Sequence, residues 1–104
     1  MKTDRILSLL GLCRRAGKLV SGQDSVIAAV QSGKAALALL AEDASERTKK
    51  QLRDKCAFRS VPLICLTADG GTIGKATGKA GTLSSLAVTD AGFASAIQKL
   101  AEEA

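Results

Sequence analysis

The sequence contains no histidine, tryptophan or tyrosine, and its only aromatic residues are Phe58 and Phe93. The lack of histidine removes the commonest general base and the commonest metal ligand. The lack of Trp and Tyr removes the exposed rings on which many single-strand and sheet-type RNA binders stack bases. The core is left to Leu, Val, Ile and Ala, which favours small, tight layers. No apolar run approaches the roughly 20 residues needed to span a membrane. The start, Met1-Lys2-Thr3-Asp4-Arg5, carries an acid and leads to Cys13-Arg14-Arg15, unlike a secretory leader, so cytoplasmic residence is expected.

Cysteine is also scarce. Cys13, Cys56 and Cys65 are far apart, odd in number and without a C-x-x-C pair. Each sits among apolar residues and is expected to act as a small buried hydrophobe in a reducing compartment. With no histidine to draw off a proton, cysteine catalysis is disfavoured. The Gly-rich stretch Asp69-Gly70-Gly71-Thr72-Ile73-Gly74-Lys75-Ala76 invites comparison with a phosphate-binding loop. That motif needs Gly five positions before its second Gly, and Ser or Thr after the Lys. Asp69 and Ala76 occupy those positions here, so a flexible connection with a short helix is the plainer reading. Glu42-Asp43 could pair as acid and base or hold magnesium, but adjacent residues point apart, and an approach to a helix cap is the commoner role. No catalytic residue, metal ligand or cofactor is therefore expected.

The chain has 104 residues, enough for one domain spanning 1–104, and a net charge of +5. The charge is uneven. Residues 1–59 hold twelve of the fifteen Lys and Arg against six acids, a net +6; residues 60–104 hold three against four, a net −1. One basic face follows, serving either solubility or a phosphate-bearing partner.

Helices and strands alternate along the chain. Thr3 or Asp4 is expected to cap a first helix bearing Ile6, Leu9, Leu10 and Cys13 on one face, with Gly17 as its stop. Leu19-Val20 is a short extended piece. Ser21-Gly22-Gln23-Asp24 fits a capping box for a helix with Val26, Ala29 and Val30 inward and Gly33 at its end. Leu37 to Ala41 is apolar throughout, a central strand if not a buried helix. Ser45 caps a strongly basic third helix with Glu46 in its first turn. Val61 to Leu66 is a strand with Pro62 at its start, a short helix is expected over 72–77, and Ser84 to Val88 is the last strand. Asp90 caps a final helix with Phe93, Ile97 and Leu100 inward. The alternation predicts an α/β fold, a three-layer α/β/α sandwich.

Without stacking rings, a nucleic-acid reader here must use backbone N–H groups, helix N-termini and Lys or Arg. The stretch from Lys18 to Asp24 offers these. Gly22 lets a ligand approach the backbone, and Ser21 precedes a helix start. Gln23 and Asp24 can meet base edges, one as donor and acceptor, the other as acceptor. A plain strand-to-helix turn with a good cap is the bland alternative.

These residues resemble a known family. Gly11-Leu12-Cys13-Arg14-Arg15-Ala16-Gly17-Lys18-Leu19-Val20-Ser21-Gly22 is similar to the opening of YlxQ-like bacterial members of the kink-turn RNA-binding ribosomal protein family, the L-seven-Ae and L-thirty-e type. The similarity continues through Ser32 to Ala35, Leu40 to Lys50, Val61-Pro62, Ile73 to Gly78 and Ala87 to Ala94. The resemblance implies a four-stranded mixed sheet and binding to kink-turns, sharply bent RNA with tandem sheared G·A pairs. It implies a Gly-x-Asn-Glu-x-x-Lys signature for reading guanines. Here Gly22 holds the Gly place, Asp24 the Asn place, Ser25 the Glu place and Ala28 the Lys place. It assigns assisting roles to Ser45 and Lys49, and the loop against a flipped-out nucleotide to Lys79, Ala80 and Gly81. The expected protein is a non-enzymatic, monomeric, ribosome-associated binder of rRNA or another structured RNA, with ribosomal proteins as neighbours and no membrane partner. The alternative is a protein–protein adaptor that keeps the fold and has lost specific kink-turn binding.

Overall fold

A computed structural model describes residues 1–79 and 81–103. In order, the elements are α1 (Thr3–Arg15), β1 (Leu19–Ser21), α2 (Gln23–Gln31), β2 (Leu37–Leu40), α3 (Glu46–Arg59), β3 (Leu63–Cys65), α4 (Gly70–Ala76), β4 (Ser85–Val88) and α5 (Ala91–Glu102). The strands form one mixed sheet in the order β1-β4-β2-β3. β2 pairs with β3 in parallel, and β4 pairs antiparallel with both β1 and β2.

The central strands β2 and β4 are buried along their whole length, as apolar runs covered on both faces must be. Their side chains alternate between two cores. Leu37, Leu39, Leu86 and Val88 pack with Ile6, Leu10 and Cys13 of α1, Ile73 of α4 and Ile97 of α5. Ala38, Leu40 and Ala87 pack with Val26 and Val30 of α2 and Leu52 and Cys56 of α3. The result is the expected three-layer sandwich, with α1, α4 and α5 on one side and α2 and α3 on the other. Pro62 precedes the edge strand β3, where its missing N–H costs no ladder bond, and its carbonyl accepts from Ala38 N at 2.9 Å. No helix among the described residues is long and apolar enough to cross a membrane.

Four local expectations need correction. The N-cap of α1 is Lys2, with no side-chain cap; the Thr3 hydroxyl turns instead to Thr67. Ser21 does not cap α2, as described below. The fourth helix starts at Gly70 rather than 72, because Asp69 accepts from Thr72 N at 2.7 Å and caps it. Hydrogen bonds from Thr72 hold the Asp69 carboxyl below its ordinary range. Cys65 is exposed, since it ends an edge strand. The caps at Ser45 and Asp90 form as expected, accepting from Thr48 N at 3.1 Å and Phe93 N at 2.8 Å.

Cys13 is wholly buried, and its Sγ donates to the carbonyl of Lys18 at 3.2 Å. Burial first, then the negative charge of Asp90, push its thiol up to about 11. The folded thiol thus keeps its proton at a pH where the unfolded thiol, near about 8.5, has lost it. Stability should fall as pH rises from the unfolded value towards the folded one, by up to roughly 3 kcal/mol. Burial raises Cys56 as well and adds to the trend. Urea midpoints at about pH 8 and about pH 10.5 check this: Cys13→Ala should lose less stability over the interval than the parent protein.

Candidate nucleic-acid interface

β1, β2 and β3 all run in one direction, since β1 and β2 both oppose β4 and β3 parallels β2. Each is followed by a helix, so the starts of α2, α3 and α4 gather at one end of the sheet. β4 enters from that same end through the loop 77–84. Helix starts present unpaired N–H groups and the positive pole of the helix dipole, which favour anions.

At the α2 start the N-cap is Gly22, at φ 93° and ψ 135°, and no side chain caps it. A residue with Cβ is strained at that φ, which explains glycine here. Ser21 ends β1 instead, and its hydroxyl accepts from Lys79 Nζ at 3.0 Å. That bond ties the loop before β4 to the α2 start. The first-turn N–H groups of α2 are left for water or an anionic ligand. Asp24 lies exposed in this turn and does not close a capping box.

The α3 start faces α2. Ser45 Oγ, besides accepting from Thr48 N, donates to Thr48 Oγ1 at 3.0 Å. Thr48 Oγ1 donates to Gln23 Oε1 at 3.3 Å, and the Gln23 amide donates to Gln51 Oε1. These bonds hold Gln23 against α3 at the edge of a cleft of about 380 Å³, which Asp24 and Arg47 also line. Gln23 is therefore a spacer between helices as much as a free reader of base edges. Lys49 reaches back along α3: its Nζ donates to the Glu42 carbonyl at 3.1 Å and lies 3.8 Å from Glu46 Oε1.

The Gly-rich segment serves close packing. A Cβ at Gly70 would stand 2.3 Å from Thr82 Cγ2, and one at Gly74 2.2 Å from the Gly81 carbonyl oxygen. Spaced four apart, the two glycines form one face of α4, and the loop returning to β4 lies directly against it. Asp43, suggested by sequence as part of an acidic pair, accepts from Gly70 N at 2.9 Å and ties the α3 approach to α4. Gly81 sits at φ 92°. Ala80 lies outside the described residues. Among the described residues, no group of three or more His, Cys, Asp or Glu could hold a metal ion.

The structure thus brings Ser21, Gly22, Gln23, Asp24, Ser45 and Lys79 to one end of the sheet, with Lys49 and Gly81 adjoining. It does not bring Lys18 there. Lys18 precedes β1 at the opposite end, its carbonyl accepting from Thr89 N at 2.9 Å.

The sequence matches the model of the ribosomal protein L7Ae/L30e/S12e/Gadd45 family over residues 4–98. The chain belongs to that family. It is 42 % identical over 92 residues to the RNA-binding protein YlxQ of Bacillus subtilis (strain 168), spanning 88 % of this chain and 90 % of that protein. To the RNA-binding protein YlxQ of Enterococcus faecium it is 36 % identical over 98 residues, 94 % of this chain and 92 % of that protein. A solved structure of a protein of unknown function from Bacillus halodurans C superposes with a TM-score of 0.88 at 39 % identity, over 94 % of this chain and 97 % of that one. A Giardia lamblia 15.5kD RNA binding protein shares the fold, with a TM-score of 0.78 at 16 % identity, covering 91 % and 80 %.

Within this family fold, sequence reasoning missed Thr48, Gln51 and Arg47. Thr48 sits three positions after the cap Ser45, where a polar residue buried to 8 % exposure signals a partner, but the partner Gln23 lies on another helix. Ala28, in the place the resemblance gives to Lys, is exposed on α2.

Proposed function

We propose that this protein is a non-enzymatic RNA-binding protein of the cytoplasm that recognises a kink-turn or a similarly bent structured RNA on or near the ribosome. One observation carries this reading: an uncapped helix start at Gly22 meets the loop before β4 through the Lys79–Ser21 bond. A glycine-opened backbone, free N–H donors and a lysine thereby share one edge. Such an edge suits an RNA bend, where phosphates crowd and base edges open. The names of the YlxQ relatives support RNA as the ligand. Titration of a kink-turn RNA and an unrelated hairpin of equal length across a salt series tests it. The kink-turn should bind about tenfold or more tightly, with affinity falling steeply as salt rises. Equal, weak binding to both would sink the kink-turn reading.

A second reading, an adaptor that keeps the fold without specific RNA binding, draws on exposed Asp24 and Ala28 at the reading edge. Asp24 places a negative charge where phosphates approach, and Ala28 supplies none of the charge a Lys would. On the RNA-binding reading, Ala28→Lys should raise kink-turn affinity several-fold and steepen its salt dependence by about one phosphate contact. No gain, even with Asp24→Asn added, would favour the adaptor.

A further inference from the structure

α1 crosses α4 closely at Gly11, where a Cβ would stand 2.9 Å from the Ala76 carbonyl oxygen. Beside that crossing lies an open groove of about 800 Å³, lined by Ser8, Leu12, Arg14, Arg15, Lys75 and Thr77 among others. Three of its lining residues are cations, and none of the described ones is acidic. Arg14 and Arg15 end α1 and Lys75 ends α4, where a cation complements the helix dipole. That role explains each residue separately. It does not explain why all three line one acid-free groove. Arg14 is held in place, its Nη1 donating to the Thr77 carbonyl at 2.6 Å, so little side-chain freedom remains to be lost on binding an anion.

The groove lies at the C-terminal ends of α1 and α4, towards the Lys18 end of the sheet, and the chain joins it to the edge described above. Thr77 and Gly78 form its wall, and Lys79, next in the chain, reaches Ser21 at the α2 start. Two residues of chain span at most about 7 Å, so the Lys79 backbone lies within that reach of the groove wall at Thr77, and its side chain bridges from there to the reading edge. We propose that this groove is a second RNA contact, which takes the phosphodiester backbone of a duplex arm flanking the bend. The proposal rests on the RNA reading above for its ligand and adds a surface to it. The contact neutralises phosphates and reads no bases, so it should lengthen the footprint and steepen the salt dependence without changing sequence preference.

Arg15 and Lys75 are both exposed, so their charges can be removed without opening the core. The parent protein and an R15Q/K75Q variant would be titrated with a kink-turn RNA of long arms and with one trimmed to the bend, across a salt series. On the long-armed RNA the variant should bind about tenfold more weakly at low salt, with a log–log salt slope smaller by roughly 1 to 2. On the trimmed RNA the two proteins should bind alike. Equal affinity and slope for both proteins on the long-armed RNA would overturn the groove, even if the kink-turn preference holds. Conversely, suppose that the parent protein binds an equal-length hairpin as well as the kink-turn. The kink-turn reading then fails, and the groove stands if R15Q/K75Q still lowers the slope on that hairpin.

Discussion

Gly74→Ala should lower stability by about 1–3 kcal/mol and weaken RNA binding about tenfold, although Gly74 is buried beneath the candidate edge. The added methyl group would stand 2.2 Å from the Gly81 carbonyl oxygen and 3.3 Å from that of Lys79. Both are backbone atoms, so no side-chain rotation relieves the clash; the loop must move away from α4. That loop carries Lys79, whose bond to Ser21 joins it to the α2 start. Displacing it separates the two halves of the edge. Gly71→Ala is the control. Its Cβ would meet only Asp69 Oδ1 at 3.4 Å, ordinary contact at an exposed site. That variant should be neutral or slightly stabilising, because Ala loses less conformational freedom than Gly in a helix. Urea unfolding and kink-turn titration of both variants provide the check. A Gly74→Ala protein with parental stability and affinity would mean that the loop does not lie against α4.

Leu40→Ala should cost about 3–4 kcal/mol, the largest single effect expected in this protein. Leu40 is fully buried at the end of β2 and packs with the α2 and α3 residues Val26, Val30, Leu52 and Cys56. Truncation loses the transfer energy of the buried methyl groups and leaves a cavity that four neighbouring elements cannot all close. In a domain of this length the loss is a large fraction of total stability, and the thermal midpoint should drop by roughly 15–25 °C. Because α2 and α3 rest on Leu40, the cleft between their starts should loosen as well, and RNA affinity should fall with stability. A loss below about 1 kcal/mol would contradict the packing of β2 against α2 and α3.

Where the chain's short-range chemistry is decisive, the sequence was legible. Apolar spacing marked α1, α2 and α5, and the caps at Ser45 and Asp90 were readable because a cap needs only a residue and the N–H three positions on. The uninterrupted apolar run from Leu37 implied a strand covered on both faces, and with it the sandwich. The same local logic failed at Ser21. A capping box competed with a lysine 58 positions away, and the distant partner took the hydroxyl. At Asp69 a cap was available, but the run of glycines after it read as a flexible connection, with the helix expected only from 72. Their actual role, close contact with residues 81–83, depends on a chain return that no window of sequence contains.

The candidate site divides in the same way. The residue types that can meet RNA, and the order of helices and strands that carries them, are properties of the chain, set by periodicity, capping and charge. Which of those residues share an edge depends on strand direction. β1, β2 and β3 run the same way, so the starts of α2, α3 and α4 converge, and Lys79 joins them through the loop. Lys18, four residues before Gly22, is left at the far end because an extended strand lies between them. Closeness along the chain is not closeness in space once a strand intervenes, and the pairing of β1 with β4 could not be read from either segment alone.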